Sequence, residues 1–216
     1  MQTLIDLSHT IFDGLITYKG LPAPIICDYL SRENSRQLYE GATFQIGKIE
    51  MVTNTGTYID CPFHRYADGK DLSQIALEQC AQLDAITINA TDATAIGREY
   101  FEGKDISNKA VLVYTNWARH WNTPAYFEGH PHLTEDAAIY LQQCGAKLVG
   151  IDSHNIDNTT GKTRPVHTTL LGAGILIVEH LCNLQLLPQS GYQFNAVPPK
   201  IEGAGTFAVR AYADVK

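Results

Sequence analysis

Residues 54–64 have the sequence Asn-Thr-Gly-Thr-Tyr-Ile-Asp-Cys-Pro-Phe-His, the densest run of chemically active side chains in the chain. If the backbone is extended from Tyr58 to Asp60, those two side chains point the same way, because side chains alternate along a strand. Pro62 disfavours helix at the residue before it, so the chain turns ahead of His64. The pattern predicts that Asp60 and His64 converge, as metal ligands or as a general base with its orienting partner. The alternative for this spacing alone is a surface turn with a capping Asp60 and a solvated His64.

A second group of candidates lies in residues 164–171, Arg-Pro-Val-His-Thr-Thr-Leu-Leu, and at Glu179, which closes an apolar run. A carboxylate buried without a partner is costly, so a buried Glu179 needs a cation, a metal or a proton-sharing neighbour. Alternatively, the strand emerges into solvent at Glu179. Arg164 either binds a substrate carboxylate or pairs with Asp152 or Asp157.

Composition narrows the class of protein. The chain has 216 residues, of which 44% are hydrophobic and 18% charged, as in ordinary globular proteins. It carries 16 basic and 23 acidic residues, a net charge of −7, which argues against nucleic acid or an anionic membrane as a partner. The five cysteines are scattered without a C-x-x-C pair, which indicates reduced thiols. With no targeting or membrane-spanning pattern, we expect a cytoplasmic protein whose partner is a small molecule.

The remaining sequence alternates strands with helices, which predicts a single α/β domain over residues 1–216. Residues 8–36 are rich in Gly, Pro and polar side chains and are expected to form a long loop. The predicted strands cover residues 4–7, 44–52, 83–90, 110–115, 148–151, 174–179, 192–197 and 206–214. The predicted helices cover residues 95–101, 134–145 and 168–172.

Four features together resemble the cyclase family of metal-dependent hydrolases, which includes bacterial kynurenine formamidase and isatin hydrolase. They are the opening run 6–11, the Gly-Thr-x-x-Asp-x-Pro-x-His core, the strand end at 150–153, and the Pro-x-His at 165–167 with a Glu twelve residues later. The resemblance implies an α/β fold of the swivelling β/β/α type with a mixed sheet. It also implies a homodimer or homotetramer, in which residues 8–36 contribute to oligomer contacts and reach toward a neighbouring subunit's site.

The resemblance assigns roles to four residues by their positions in the motif. Asp60, His167 and Glu179 match metal ligands, and His64 matches the catalytic histidine. This set implies hydrolysis of a C–N bond in an amide or lactam, as in an arylformamidase. Two carboxylates with imidazole suit zinc or manganese.

Two residues depart from the family motif, because Asn54 and Tyr58 stand where the family has two further metal-binding histidines. We therefore expect one divalent ion, zinc or manganese, rather than a pair. The alternative is a metal-free acid–base group. Asn54 and Tyr58 could instead hold a substrate carbonyl or a developing oxyanion. Trp117 and Arg164 are further candidates for substrate binding.

Two other functions remain open on the same scaffold. One is a lyase, isomerase or cyclase that uses a single metal ion or none. The other is a non-catalytic protein that binds a small ring compound. Fold analogy alone does not separate these from a hydrolase.

Overall fold

A nine-stranded mixed sheet forms the centre of the computed structural model, which describes residues 3–215. The strand order is β1-β13-β11-β5-β7-β9-β10-β4-β12, and two short two-stranded sheets, β2-β3 and β6-β8, lie outside it. The strands are β1 (Thr3–Asp6), β2 (Ile25–Leu30), β3 (Ile46–Glu50), β4 (Tyr58–Asp60), β5 (Leu83–Asn89), β6 (Ala95–Ile96), β7 (Ala110–Tyr114), β8 (His132–Leu133), β9 (Leu148–Ile151), β10 (Leu176–Glu179), β11 (Ser190–Asn195), β12 (Thr206–Ala208) and β13 (Tyr212–Val215). The α-helices are α1 (Arg32–Leu38), α2 (Glu135–Gln143) and α3 (Pro165–Gly172).

The four central strands β5, β7, β9 and β10 are parallel, and the pairings on either side of them are antiparallel. The mixed sheet predicted for this α/β domain is thus present. The central strands are apolar on both faces, as the sequence indicates, because each face is covered. Ile177 packs with Leu141 of α2 and Leu170 of α3 on one face. The next residue, Val178, packs with Phe194 on the opposite face.

The register of β4 positions the candidate residues. This strand lies between β10 and β12, and it pairs Tyr58 with Glu179 and Asp60 with Thr206. Ile59 points into the hydrophobic core between them. Tyr58 and Asp60 therefore share the other face of the strand, which confirms the prediction of an extended backbone there.

The segment 206–214, predicted as one strand, is two strands separated by residues 209–211. β12 pairs with β4, whereas β13 pairs with β1 and β11 near the other end of the strand order. Three residues span at most about 11 Å. The two ends of the strand order must therefore lie close together, so the sheet curls around one of its two cores.

The prediction of a helix over residues 95–101 is wrong. Residues 95 and 96 form β6 and pair in parallel with β8, and a short 3₁₀ turn, Arg98–Tyr100, follows. Two hydrogen bonds extend this pairing, from the Thr134 amide to the Ile96 carbonyl and from the His132 amide to the Thr94 carbonyl. These distant partners could not be seen in the local pattern, which is compatible with a helix. The helices predicted over residues 134–145 and 168–172 are present as α2 and α3, and α3 begins three residues earlier than predicted.

The long loop predicted at residues 8–36 is only partly a loop, because it contains β2 and most of α1. The Ser31 hydroxyl caps α1 by accepting from the Asn34 amide, and β2 forms an antiparallel ribbon with β3. Every residue of β3 is exposed, and Tyr29 of β2 is 78% exposed. The ribbon therefore presents apolar side chains that its own chain does not cover.

Within residues 3–215, no helix has the length and apolar character needed to cross a membrane. All five cysteines are free, as their spacing predicts.

Candidate active site

A pocket of about 280 Å³ lies beside β4 and β10, at the N-terminus of α3. Its wall combines polar and aromatic groups from six separate parts of the chain. The lining residues are Tyr18, Leu21, Asn54, Tyr58, His64, Arg65, Asn155, Arg164, His167 and Glu179. Asp60 lies fully buried beside them.

Asp60 has one satisfied and one unsatisfied oxygen. Its Oδ1 accepts a short hydrogen bond from the Thr206 hydroxyl on the neighbouring strand. Its Oδ2 is buried and has no hydrogen-bond partner in the structure. Buried polar atoms are rarely left unpaired, so this oxygen marks a position where a cation would be stabilised.

His167 faces that oxygen from the first turn of α3. Its Nδ1 is 2.6 Å from Asp157 Oδ2, and the Asp157 carboxylate also accepts from the backbone amides of Val166 and His167. Asp157 therefore caps α3 and directs the other ring nitrogen of His167, Nε2, toward the pocket. Nε2 lies 3.7 Å from Asp60 Oδ2 and 3.7 Å from Glu179 Oε1, too far for hydrogen bonds.

The carboxylates around His167 control its charge. Burial by itself lowers the pKa of His167, but the hydrogen bond with Asp157 and the charges of Asp60 and Glu179 raise it to about 10. An imidazolium therefore balances the carboxylates when no other cation is present. A divalent cation bound in the same gap would neutralise the carboxylates instead of a protonated His167.

Glu179 is buried, with 1% of its surface exposed, so the alternative in which the strand emerges into solvent is wrong. Its Oε1 accepts from the Ile156 amide at 2.6 Å, and its Oε2 accepts from the Tyr58 hydroxyl at 2.5 Å. The Asn155 amide nitrogen lies 3.5 Å from the same Oε2. Burial still raises the pKa of Glu179 to about 7, because these donors only partly replace water.

Tyr58 differs from the sequence expectation. The sequence predicts that its hydroxyl holds a substrate carbonyl or oxyanion, but in the structure that hydroxyl donates to Glu179. The phenol is buried, and burial raises its pKa well above the ordinary value, so it keeps its proton. A second hydroxyl, that of Tyr18, lies 3.3 Å away and accepts from Asn155. Asn54 lines the pocket, and its side-chain amide nitrogen has no protein partner among the described residues.

His64 is held by the same hydroxyl that bonds Asp60. The Thr206 Oγ1 carries one proton and donates it to Asp60, so it accepts from His64 Nδ1, 2.9 Å away. The proton on Nδ1 leaves Nε2 of His64 with a free lone pair. The His64 side chain is 35% exposed, so this lone pair is accessible from the pocket.

The donor atoms fit one divalent metal ion. Within the described part of the chain, Asp60, His64 and His167 form a group whose ligand atoms all lie within 4.8 Å of one another. Glu179 is not part of that group, but its Oε1 lies 3.7 Å from His167 Nε2. Carboxylate and imidazole donors suit zinc or manganese, and the unpaired Asp60 Oδ2 needs such a charge.

Trp117 is placed apart from the other candidates, because it does not line this pocket. Its indole N–H donates to the Tyr126 carbonyl, and the neighbouring Trp121 packs against Tyr126 and the buried His180. Asn54 and Arg164 do line the pocket.

Arg164 does not pair with Asp157, as one reading of the sequence allows, because Asp157 is bonded to His167. Sequence reasoning also misses Thr206 and Arg65. Thr206 reaches the site through the pairing of β12 with β4, and Arg65 directly follows His64 in the chain.

The chain matches known proteins over most of its length. A family model described as "Putative cyclase" matches residues 5–158. The chain is 30% identical to a kynurenine formamidase from Geobacillus thermodenitrificans over 98% of its own length and 97% of the relative's. It is 28% identical to one from Bacillus cereus, covering 96% and 95% of the two chains.

Two solved structures show the same fold. Isatin hydrolase A from Labrenzia aggregata superposes with a TM-score of 0.84 at 21% identity, covering 99% of this chain and 94% of the other. A structure described as a potential metal-dependent hydrolase with cyclase activity gives 0.83 at 24% identity, covering 100% and 99%.

The Thr206 hydroxyl should determine the tautomer of His64. In Thr206→Val, His64 Nδ1 loses its acceptor, and we expect the ring proton to redistribute toward Nε2. The ring ¹⁵N shifts of His64, measured by long-range ¹H–¹⁵N NMR, report this change. Thr206→Ser retains the hydroxyl and should retain the wild-type shifts. Identical His64 shifts in the Val variant and the wild type would contradict the assignment.

Proposed function

The chain belongs to the putative cyclase family, and from that premise we propose that it is a metal-dependent hydrolase. Its proposed reaction is hydrolysis of a C–N bond in a small amide or lactam, similar to an arylformamidase. The observation that carries the proposal is that the Asp60 carboxylate, whose Oδ2 is unpaired, lies within ligand distance of His64 and His167, which both line the pocket. The family relatives described as kynurenine formamidases support the choice of an amide bond.

Asp60 Oδ2, His167 Nε2 and Glu179 Oε1 would hold one zinc or manganese ion. Such an ion, when bound, polarises a carbonyl and lowers the pKa of water. The protein's own contribution is a buried pair of carboxylates and an imidazole oriented by Asp157. The Tyr58 hydroxyl and the Ile156 amide keep Glu179 in place by donating to its two oxygens.

His64 would move the protons of the reaction. Its Nε2 accepts a proton from the water that attacks the carbonyl carbon and passes it to the nitrogen that leaves. The C–N bond breaks, one water is consumed, and the products are a carboxylic acid and an amine. The Thr206 hydroxyl and Asp60 stabilise His64 while its ring carries the extra proton, because Thr206 accepts from Nδ1.

Asn54 would orient the substrate. Asn54 lines the pocket, and its side-chain nitrogen, which has no acceptor among residues 3–215, can donate to the carbonyl oxygen, where negative charge develops. Tyr58 does not serve this purpose, because its proton is bonded to Glu179.

One observation favours a second candidate, metal-free acid–base chemistry in a lyase or isomerase. The raised pKa of His167, about 10, allows an imidazolium to occupy the cation position between Asp60 and Glu179. Metal content separates the two functions.

We expect purified wild-type protein to carry near-stoichiometric zinc or manganese. Asp60→Asn should reduce the metal content at least about tenfold, because it removes the charge of a ligand. Elemental analysis of both proteins measures this. Asp84→Asn, an exposed carboxylate on β5, is the matched control and should keep the metal. Metal-free wild-type protein, prepared in metal-supplemented medium and inactive after reconstitution, would favour the second candidate.

His64→Gln should lower hydrolysis of formanilide by about 10²-fold or more, because Gln cannot take a proton. Release of aniline and formate measures the rate. Metal content should stay at the wild-type level, since His64 is assigned as a proton carrier. His120→Gln, on a 3₁₀ turn outside the pocket, is the control and should keep the wild-type rate. Loss of the metal in His64→Gln would instead make His64 a ligand, with Asp60 and His167.

We also propose that the chain assembles as a homodimer or homotetramer through the β2-β3 ribbon. Ile26 and Ile49 form a cross-strand pair and are both exposed. Replacing both by Lys should shift the sedimentation coefficient toward that of a monomer, because lysine would be buried at the contact. Leu77→Lys, at another exposed apolar position, should leave it unchanged. An unchanged oligomer in the Ile26→Lys, Ile49→Lys variant would refute this interface.

A further inference from the structure

Two arginines, Arg65 and Arg164, line the pocket without an acidic partner. Within residues 3–215, no Asp or Glu oxygen lies within 4 Å of either guanidinium. Five basic side chains elsewhere in the structure pair with carboxylates. These are Lys19, Lys48, Arg98, Lys109 and Arg210. Other basic side chains, such as Arg32 and Arg119, also lack a carboxylate partner among the described residues, so what sets Arg65 and Arg164 apart is that both line one pocket.

Thr168 contacts the side chain of Arg65 and the backbone of Arg164. The Thr168 hydroxyl accepts from Arg65 Nε at 3.1 Å and donates to the Arg164 carbonyl at 2.7 Å. Both Nη groups of Arg65 are left without a protein acceptor in the described part of the chain.

Arg164 uses only one of its nitrogens for the protein. Its Nη1 donates to the backbone carbonyls of residues 158, 161 and 163, which fixes the side chain against that loop. Its Nη2 and Nε make no hydrogen bond to residues 3–215. Two guanidinium groups thus border one pocket with donors to spare, an arrangement that suits a carboxylate.

The pocket's acidic groups are not available to neutralise these arginines. Asp157 is bonded to His167, and Glu179 accepts from Tyr58 and Ile156. Asp60 faces the gap beside His167. All three carboxylates are buried and none lies within 4 Å of either guanidinium, so the arginines face the pocket and solvent without a carboxylate of the described residues beside them.

We propose that Arg65 and Arg164 form an anion subsite that selects substrates carrying a carboxylate away from the bond that is hydrolysed. The substrate class rests on the proposed function, since it assumes that an amide is the reacting group. Glu179 is the one acidic residue that lines the pocket. Its oxygens accept from Tyr58 and Ile156, and its Oε1 faces His167 Nε2 as a proposed metal ligand, so no carboxylate beside the arginines is left for an ammonium group. The subsite therefore favours a simple anion over a neutral molecule or a zwitterionic amino acid.

The test compares matched formanilides that differ in charge. The substrates are the three ring isomers of formamidobenzoate, the corresponding neutral formamidobenzamides, and the zwitterion 4-formamidophenylalanine. For at least one isomer, we expect kcat/KM of the carboxylate to exceed that of its carboxamide by about tenfold or more, chiefly through KM. The zwitterion should be hydrolysed more slowly than that carboxylate.

Variants assign the preference to the two arginines. Arg65→Gln and Arg164→Gln should each reduce the carboxylate-to-carboxamide ratio severalfold, and Arg65→Lys should restore most of it because the charge returns. Arg98→Gln is the control, since Arg98 pairs with Glu102 away from the pocket. A ratio near one in the wild type, a ratio unchanged in both Gln variants, or equal hydrolysis of the zwitterion would overturn the proposal.

A binding experiment keeps this proposal separate from the proposed function. If no formanilide is hydrolysed, the amide hydrolase is refuted, and the subsite is then tested by titration of benzoate and benzamide. Saturable binding of benzoate that weakens in Arg65→Gln supports the anion subsite. Benzoate binding no tighter than benzamide binding overturns it.

Discussion

Three carboxylates, those of Asp60, Asp157 and Glu179, are buried around one imidazole, and the rest of the site is arranged to satisfy them. Removing a carboxylate from water costs several kcal/mol unless hydrogen bonds or opposite charge compensate. Asp157 is compensated by hydrogen bonds with the ring of His167 and with two backbone amides at the start of α3. Glu179 accepts hydrogen bonds from the Tyr58 hydroxyl and the Ile156 amide. Only one oxygen, Asp60 Oδ2, remains without a partner, and it faces the gap where a cation would lie.

The replacement of two motif histidines by Asn54 and Tyr58 has a clear physical consequence. A histidine that acts as a metal ligand offers a lone pair, which a metal ion must accept. The Tyr58 phenol instead donates its own proton to Glu179. Part of the positive charge that a second ion would supply is thus replaced by a hydrogen bond. The Asn54 amide, which carries no charge, lines the pocket. The remaining donors form a possible site for a cation, and Arg65 and Arg164 carry positive charge without a carboxylate partner at the pocket wall.

The eight histidines illustrate how far residue counts can mislead. Their number suggests an imidazole-rich metal centre, yet only His64 and His167 line the pocket. His154 and His180 pack with Tyr126 in a buried aromatic cluster, where burial lowers the pKa of both imidazoles. Local sequence could not separate these two groups, because the distinction lies in which loops meet in space.

The sequence by itself determined the α/β class, most of the central strands and the family, because apolar runs and the 54–64 motif are local features. It also indicated that Tyr58 and Asp60 share one face, since alternation along a strand needs no tertiary information. Only the tertiary structure decided that Thr206 stands between Asp60 and His64, a contact that joins residues 142 positions apart. It likewise decided that the Tyr58 hydroxyl binds Glu179 rather than a substrate. These contacts depend on the register of β4 between β10 and β12, and strand register is set by packing of the whole sheet rather than by any one segment.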